Sequence, residues 1–344
     1  MGLRDEILQQ PLVAERLLHA GRPAIERIAD AVRAQTVDHV VIAARGTSDH
    51  AAIYAQYVLG VAHRLPVALA TPSILSLYGV EPRFERALVI GISQSGASPD
   101  VVGVVAAARR QGAPTIAITN EPASPLAAAA EHLIDLAAGP ERAVAATKTY
   151  TAELFAIALF SAALSGDAGS GDLDAVPDAL REALATEPAA AAAAADLAAM
   201  TSCAVIGRGY DYATAREWAL KLKELAYVVA DPYSAADFRH GPVALVAPGF
   251  PVLAIAPSGP ASADLVALLE RLGREHDADL LVLSDRADIR ALGRRAIPLP
   301  ADLADHLRPI ASIVPAQLFA FHLTRARGLD PETPRNLAKV TRTS

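Results

Sequence analysis

A chain of 344 residues is long enough for two domains of ordinary size. Its composition, 52% hydrophobic and 20% charged, suits a packed globule and excludes wholesale disorder. The net charge of −7 argues against general nucleic-acid binding, which needs a basic face, but leaves room for a small anion held at a local site. The single cysteine, Cys203, lies in an apolar run and reads as a core residue; no Cys/His spacing reads as a zinc site. No N-terminal stretch resembles a signal peptide, and no apolar run approaches the ~18–20 residues of a membrane span. The expectation is a cytoplasmic enzyme or binding protein with no membrane partner, no metal and no redox cofactor.

In chain order, residues from Asp5 to about Ala34 read as helical, with interruptions at Gln10-Pro11 and Gly21-Arg22-Pro23. The run 39–44 predicts a strand that ends in Arg45-Gly46-Thr47-Ser48, with a helix following through Val58. Strands are predicted at 66–70, 88–92, 114–119 and 132–136, with helical stretches at 74–78 and 101–110. A long helix over 147–164 closes this half. The Gly-rich run 166–172 is the linker candidate. Ala-rich helical sequence over 189–200 then precedes strands at 203–206, 227–230, 252–256, 280–283 and 296–299 and helices at 212–225, 263–275 and 310–326. The fold class is α/β: a loose internal duplication of an open, mostly parallel sheet flanked by helices, doubly wound and flavodoxin-like. The expected division is a helical segment at 1–34, a first α/β domain at 35–165, a linker with the Ala-rich helix at 166–200, a second α/β domain at 201–325 and a tail at 326–344.

Within the first half, the strand ending at Ile92 stops in Ser93-Gln94-Ser95-Gly96, with Ser98 just before a helix. Backbone N–H groups and hydroxyls converge there on a helix N-terminus, which suits a phosphate monoester. Without the Walker lysine or GxGxxG, it fits a compact phosphate and not a polyphosphate; the same residues also read as a plain helix cap. Arg45-Gly46-Thr47-Ser48-Asp49 is a second such turn on the same sheet edge. The second half shows Ala256-Pro257-Ser258-Gly259-Pro260 after its third strand, with no run of hydroxyls.

Glu217, Lys221 and Glu224 share one polar face of a helix whose apolar stripe is Trp218, Leu222 and Leu225. That is either a surface salt bridge worth about a few tenths of a kcal/mol or a carboxylate beside an amine, equipped to move protons between carbons. His240 sits in a Gly-Pro turn ahead of strand-like 243–246; it reads as a group titrating near neutrality or as an exposed loop histidine. Only four of the 31 basic residues are lysines: Lys148, Lys221, Lys223 and Lys339. Arginine keeps its charge at any working pH while lysine can lose a proton, so these four mark candidate places for base or nucleophile chemistry, unless they are chance survivors of codon bias. Lys339 ends a Pro-rich, irregular tail.

Strand-Gly46-Thr47-Ser48, strand-Ser93-Gln94-Ser95-Gly96, Val144-Ala145-Ala146-Thr147-Lys148, Ala219 to Glu224, His240-Gly241-Pro242 and Pro334 to Lys339 occur in that order. Together they resemble the isomerase half of glutamine–fructose-6-phosphate amidotransferases, a tandem pair of sugar-isomerase (SIS) domains, over essentially the whole chain. The resemblance implies that Ser93, Gln94, Ser95 and Ser98 hold a sugar phosphate. Thr47 and Ser48 would lie near the sugar, and Ala145 and Ala146 would line the substrate site. Glu224 would move a proton between C1 and C2, and Lys221 would assist at the neighbouring oxygen. His240 would open the sugar ring from the other subunit of a homodimer with active sites at the subunit interface. Lys339 would approach the carbonyl carbon and could form a Schiff base, its tail folding over as a lid.

Three features depart from the amidotransferase pattern. Arg45 stands where it has a cysteine, Ala146 where it has a sugar-contacting serine, and no glutamine-hydrolysing domain is expected ahead of the isomerase motifs. With Ser98-Pro99 after the turn, the chain looks more like stand-alone SIS enzymes working in the catabolic direction, glucosamine-6-phosphate deaminases and deglycases of fructosamine phosphates. The expectation is conversion of glucosamine 6-phosphate and water to fructose 6-phosphate and ammonia. The alternatives are a fructosamine-phosphate deglycase, a simple aldose–ketose isomerase, or a sugar-phosphate sensor without turnover, the last disfavoured by Glu224, Lys221 and His240.

Overall fold

A computed structural model describes residues 2–166 and 170–339; residues 167–169 of the expected linker and 340–344 of the expected tail lie outside the described residues. The strands are β1 (His39–Ala43), β2 (Val67–Leu69), β3 (Ala87–Ile92), β4 (Thr115–Thr119), β5 (His132–Asp135), β6 (Ser202–Gly207), β7 (Val229–Ser234), β8 (Pro251–Ile255), β9 (Asp279–Ser284) and β10 (Arg295–Pro298). The helices are α1 (Leu3–Leu8), α2 (Gln10–Arg16), α3 (Arg22–Arg33), α4 (Thr47–His63), α5 (Ser73–Ser76), α6 (Pro99–Arg110), α7 (Pro125–Ala129) and α8 (Lys148–Ser165). They continue as α9 (Ser170–Leu173), α10 (Val176–Leu184), α11 (Glu187–Asp196), α12 (Tyr212–Leu225), α13 (Ala235–Arg239), α14 (Ser262–His276), α15 (Ala287–Arg290) and α16 (Arg308–Ala326).

The chain folds as two compact units. One comprises Leu12–Glu141, Lys148–Asp174 and the chain from Ala338 onward. Its sheet has the order β2-β1-β3-β4-β5, with every pair parallel. All residues of β3 and β4 are buried. A sheet covered on both faces needs strands apolar at successive positions, which is why these segments read as unbroken runs; each buried Ile or Val contributes roughly 1.5–3 kcal/mol. Helix α6 closes one face through Val101, Val104, Val105 and Ala108. From β1 the chain passes to β2 on one side, while β3 leads to β4 on the other, so the topological switch falls between β1 and β3. Ligands of such sheets bind outside the carboxyl ends at that point.

The other unit comprises Met1–Pro11, Arg142–Thr147 and Ala175–Leu337. Its parallel sheet, β10-β9-β8-β6-β7, repeats the same order, with its switch between β6 and β8. Helix α16 is buried along most of its length and packs on α12, where Trp218 meets Phe319 edge-on at 5.5 Å between ring centroids. Cys203 is buried in β6, and burial pushes its thiol up to about 12.

Several expected elements shift. Pro23 lies in the first turn of α3, where a missing N–H is harmless, and the break before it is a π-helical turn over Leu17–Gly21. Strand β7 begins at Val229 and not at 227, because Tyr227 takes a left-handed conformation at φ 55°. Residues 243–246 do not form a strand: Gly241 at φ 127° and Pro242 start a 3-10 turn over Pro242–Leu245. The Ala-rich helix is α11, ending at Asp196, with Ala190, Ala193 and Ala194 buried. Among the described residues no helix is long and apolar enough to cross a membrane.

Candidate active site

The two hydroxyl turns of the first unit stand side by side. Ala43 of β1 pairs with Gly91 of β3, so Arg45 and Ser93 leave the sheet at the same level. The Ser93 amide still belongs to the sheet, donating to Ile118 O at 3.1 Å. Beyond it the turn is shaped from below. Gln94 O accepts from the Asn120 amide at 3.1 Å and from the Thr119 hydroxyl at 3.2 Å, and Gly96 O accepts from the Leu126 amide at 3.0 Å. With these carbonyls tied down, the amides of Gln94, Ser95 and Ser98 have no partner among the described residues. The Ser98 hydroxyl makes no capping bond on α6. Gly96 is at φ 59°, and a Cβ there would lie 2.1 Å from Ser124 Oγ, so only glycine fits. Free amides, hydroxyls and a helix N-terminus in one turn are the features of a candidate anion receptor.

In the neighbouring turn Thr47 opens α4 after Gly46, which is at φ 56°. Ser48 is buried, and its hydroxyl donates to Glu153 on α8 at 2.8 Å, which occupies it within the protein core. Arg45 Nε donates to the buried Asp100 Oδ2 at 2.6 Å, binding this turn to the first turn of α6. Lys339 Nζ donates to buried Glu141 at 2.9 Å. Glu141 also accepts the amide and hydroxyl of Thr149, at 3.1 and 2.8 Å. The neighbouring Lys148 is buried and donates to Pro140 O at 2.8 Å.

In the second unit, Glu217, Lys221 and Glu224 do lie on one face of α12, but that face is not at the surface: Glu217 is 0%, Lys221 1% and Glu224 21% exposed. Lys221 Nζ donates to Glu224 Oε2 at 2.5 Å and stands 3.3 Å from Glu217 Oε1. Burial works against the ammonium, yet the two carboxylates outweigh it and hold the Lys221 pKa above its ordinary value. The cluster therefore favours the charged form of Lys221, which suits it to stabilising negative charge. The partly exposed Glu224 is the group in this cluster open to a substrate.

His240 ends α13 and is exposed, its amide donating to Asp237 O at 3.0 Å. Ala145 is buried and Ala146 half-buried, in a segment fixed by buried Glu6, which accepts the Arg142 amide at 2.5 Å and the Ala143 amide at 3.2 Å. The tail is tied as well: Glu332 accepts the Leu3 amide at 2.9 Å, and Arg335 donates its amide to the Tyr227 hydroxyl at 2.8 Å with its guanidinium 4.0 Å over that ring.

The second unit also has a turn corresponding to the anion receptor, between β8 and α14, and it is already filled. Asp285 accepts the Ser258 amide at 2.7 Å and the Ser258 hydroxyl, while Arg308 donates to Ser258 O. By strand register Asp285 matches Asn120 of the first unit, whose side chain instead bonds Ala138 N and Gly139 O at 2.8 and 3.0 Å.

The SIS domain family matches the chain twice, over residues 35–163 and 197–326. The chain belongs to that family. Relatives within it include glutamine–fructose-6-phosphate aminotransferases (isomerizing) of Thermococcus kodakarensis, 34% identical over 97% of this chain, and of Mycobacterium tuberculosis, 35% identical over 97%. In both cases the chain spans only 56% of the relative's length. A candidate phosphosugar isomerase from Silicibacter pomeroyi DSS-3 is 34% identical, with a TM-score of 0.85 covering 96% of this chain and 100% of that one. The C-terminal domain of glucosamine-fructose-6-phosphate aminotransferase from Francisella tularensis shares the fold at 24% identity, with a TM-score of 0.87 covering 96% and 98%. Sequence reading missed two buried partners of candidate residues. Glu141, the partner of Lys339, carries no local signal because 198 positions separate the pair. Asp100, the partner of Arg45, stands in the first turn of α6, where an acidic residue is ordinary.

Proposed function

We propose that the chain converts an amino-sugar 6-phosphate, glucosamine 6-phosphate or a close relative, to fructose 6-phosphate and ammonia. The observation that carries this reading is the buried Glu217–Lys221–Glu224 cluster, with a half-open carboxylate bonded to a locked ammonium. The turn of Ser93, Gln94, Ser95 and Ser98 binds the phosphate, and Thr47 orients the sugar. His240 opens the ring. Glu224 takes the proton from C2 of the open-chain aldose and returns it to C1, while the Lys221 ammonium stabilises the negative charge developing on the neighbouring oxygen. The product carries C2 as an imine, and water adds there to release ammonia and leave the ketose. Lys339 reaches a carbonyl carbon only after leaving Glu141 and giving up a proton. No metal or redox cofactor enters this sequence. The working form is a cytoplasmic homodimer. Ala146 favours a second reading, since a methyl in place of a hydroxyl relaxes the contact with the sugar: a fructosamine-phosphate deglycase or a simple aldose–ketose isomerase.

Incubation of purified protein with glucosamine 6-phosphate, with ammonia and fructose 6-phosphate quantified together, tests the proposal. Equimolar release of both is expected. Isomerised sugar without ammonia would point to the simple aldose–ketose isomerase instead, and neither product would refute both activities for this substrate.

A further inference from the structure

A phosphate monoester carries about −1.5 to −2 charge at neutral pH, yet the turn from Ser93 to Ser98 contains no cationic side chain. Asp100 adds a buried carboxylate in the first turn of α6. Amides and hydroxyls can hold such an anion without cancelling its charge, and a fixed cation beside them would strengthen binding of the dianion most. Arg45 is placed to supply it. The β1–β3 register brings Arg45 out level with Ser93. Its Nε bond to Asp100 at 2.6 Å fixes the guanidinium beside the first turn of α6. That bond uses one edge of the fork: the side chain is 48% exposed, and its terminal amino groups have no partner among the described residues.

We propose that Arg45 is a phosphate-binding residue which makes the turn selective for the dianionic form of a sugar phosphate, with Asp100 as the residue that positions it. This rests on the reading of the Ser93–Ser98 turn as the phosphate site. Asp100 neutralises part of the guanidinium charge and so keeps the empty site from being strongly basic. The planar fork then offers its free amino groups to phosphate oxygens, a geometry that lysine reproduces only as a point charge.

Calorimetric titration with inorganic phosphate and with fructose 6-phosphate, at about pH 5.5 and pH 8, tests the assignment, because the second phosphate ionisation lies near pH 6. Wild type is expected to bind more tightly at the higher pH. Arg45→Ala should lose at least about tenfold in affinity at pH 8, the size of a lost charge-assisted bond, and much less at pH 5.5; Arg45→Lys should restore part of the loss. A merely structural arginine would not produce that pH-dependent split. Arg45→Gln keeps the length of the stem without the charge and serves should the alanine variant not fold. Ser95→Ala separates the two readings. If it weakens binding while Arg45→Ala and Arg45→Gln bind as wild type at both pH values, the Arg45 assignment is overturned and the turn stands. If none of the variants changes the affinity, or wild type binds neither ligand, both fall.

Discussion

Lys221 is locked in charge and Glu224 is left partly open, and this asymmetry decides what each can do. In the proposed reaction Glu224→Gln removes the proton acceptor while preserving shape, so turnover is expected to fall by about 10²–10⁴-fold with KM little changed. Ammonia release under saturating glucosamine 6-phosphate measures it, and an undiminished rate would remove Glu224 from the reaction. Lys221→Met leaves Glu217 buried beside Glu224 with no counter-charge, at a cost of about 3–5 kcal/mol in unfolding free energy. The cluster raises the Lys221 pKa, so its stabilising contribution is complete below the ordinary lysine value and is lost as pH rises from there through the raised one. The stability difference between wild type and Lys221→Met should therefore stay constant from about pH 6 to pH 9 in denaturant titrations. A difference that shrinks in this window would mean that the ammonium gives up its proton there. The i, i+4, i+7 spacing was legible in the sequence; the burial of Glu217 and Lys221 was not, because burial depends on packing between segments and the local pattern reads equally as a solvated face.

At the level of the element, the strand-to-helix turns show what pattern reading can and cannot reach. The Ser93–Gly96 turn announced itself through composition, whereas its rigidity depends on Ser124, whose hydroxyl caps α7 by accepting from Ala127 N at 3.3 Å. Gly96→Ala would drive a methyl into that hydroxyl at a left-handed position. A loss of about 1–3 kcal/mol in stability is expected, together with weaker phosphate binding, both readable in melting curves with and without phosphate; unchanged melting in both conditions would show that the turn can yield. Asp211, at the entry to α12, gave no such signal. Burial pushes its carboxyl up to about 7, against the pull of hydrogen bonds from Thr214 and Ser312. An acid with a raised pKa binds its proton more tightly when folded, so stability falls as pH rises from its ordinary value of 3.8 through about 7. Asp211→Asn should abolish that slope, which can reach ~1.4 kcal/mol per pH unit. Parallel pH–stability curves for the two proteins would show that Asp211 does not titrate there. The misread elements, 227–230 and 243–246, share one cause: Tyr227 and Gly241 hold left-handed conformations that no apolar pattern encodes.

For the whole molecule, a net charge of −7 coexists with a proposed anion receptor on one of two like-ordered sheets. Binding at that receptor stabilises by mass action. Fructose 6-phosphate at about 100 times its Kd should add ~2.7 kcal/mol, which for a domain of about 150–250 residues raises Tm by roughly 5–11 °C; an unmoved Tm would argue against the receptor. The duplication was legible because alternating strands and helices repeat at similar spacing. The exchange of segments was not. Residues Met1–Pro11 and Arg142–Thr147 belong to the unit built on β6–β10, where Gln10 donates to Gln317 at 2.9 Å and Gln317 donates to Thr147 O at 3.3 Å. No single cut in the chain can therefore liberate that unit whole. A fragment beginning at Ala175 would lack the helix carrying Glu6 and the loop carrying Ala145 and Ala146, while its complement would be left holding both. A shortened chain that is to keep that unit intact therefore has to retain both its first residues and the 142–147 loop.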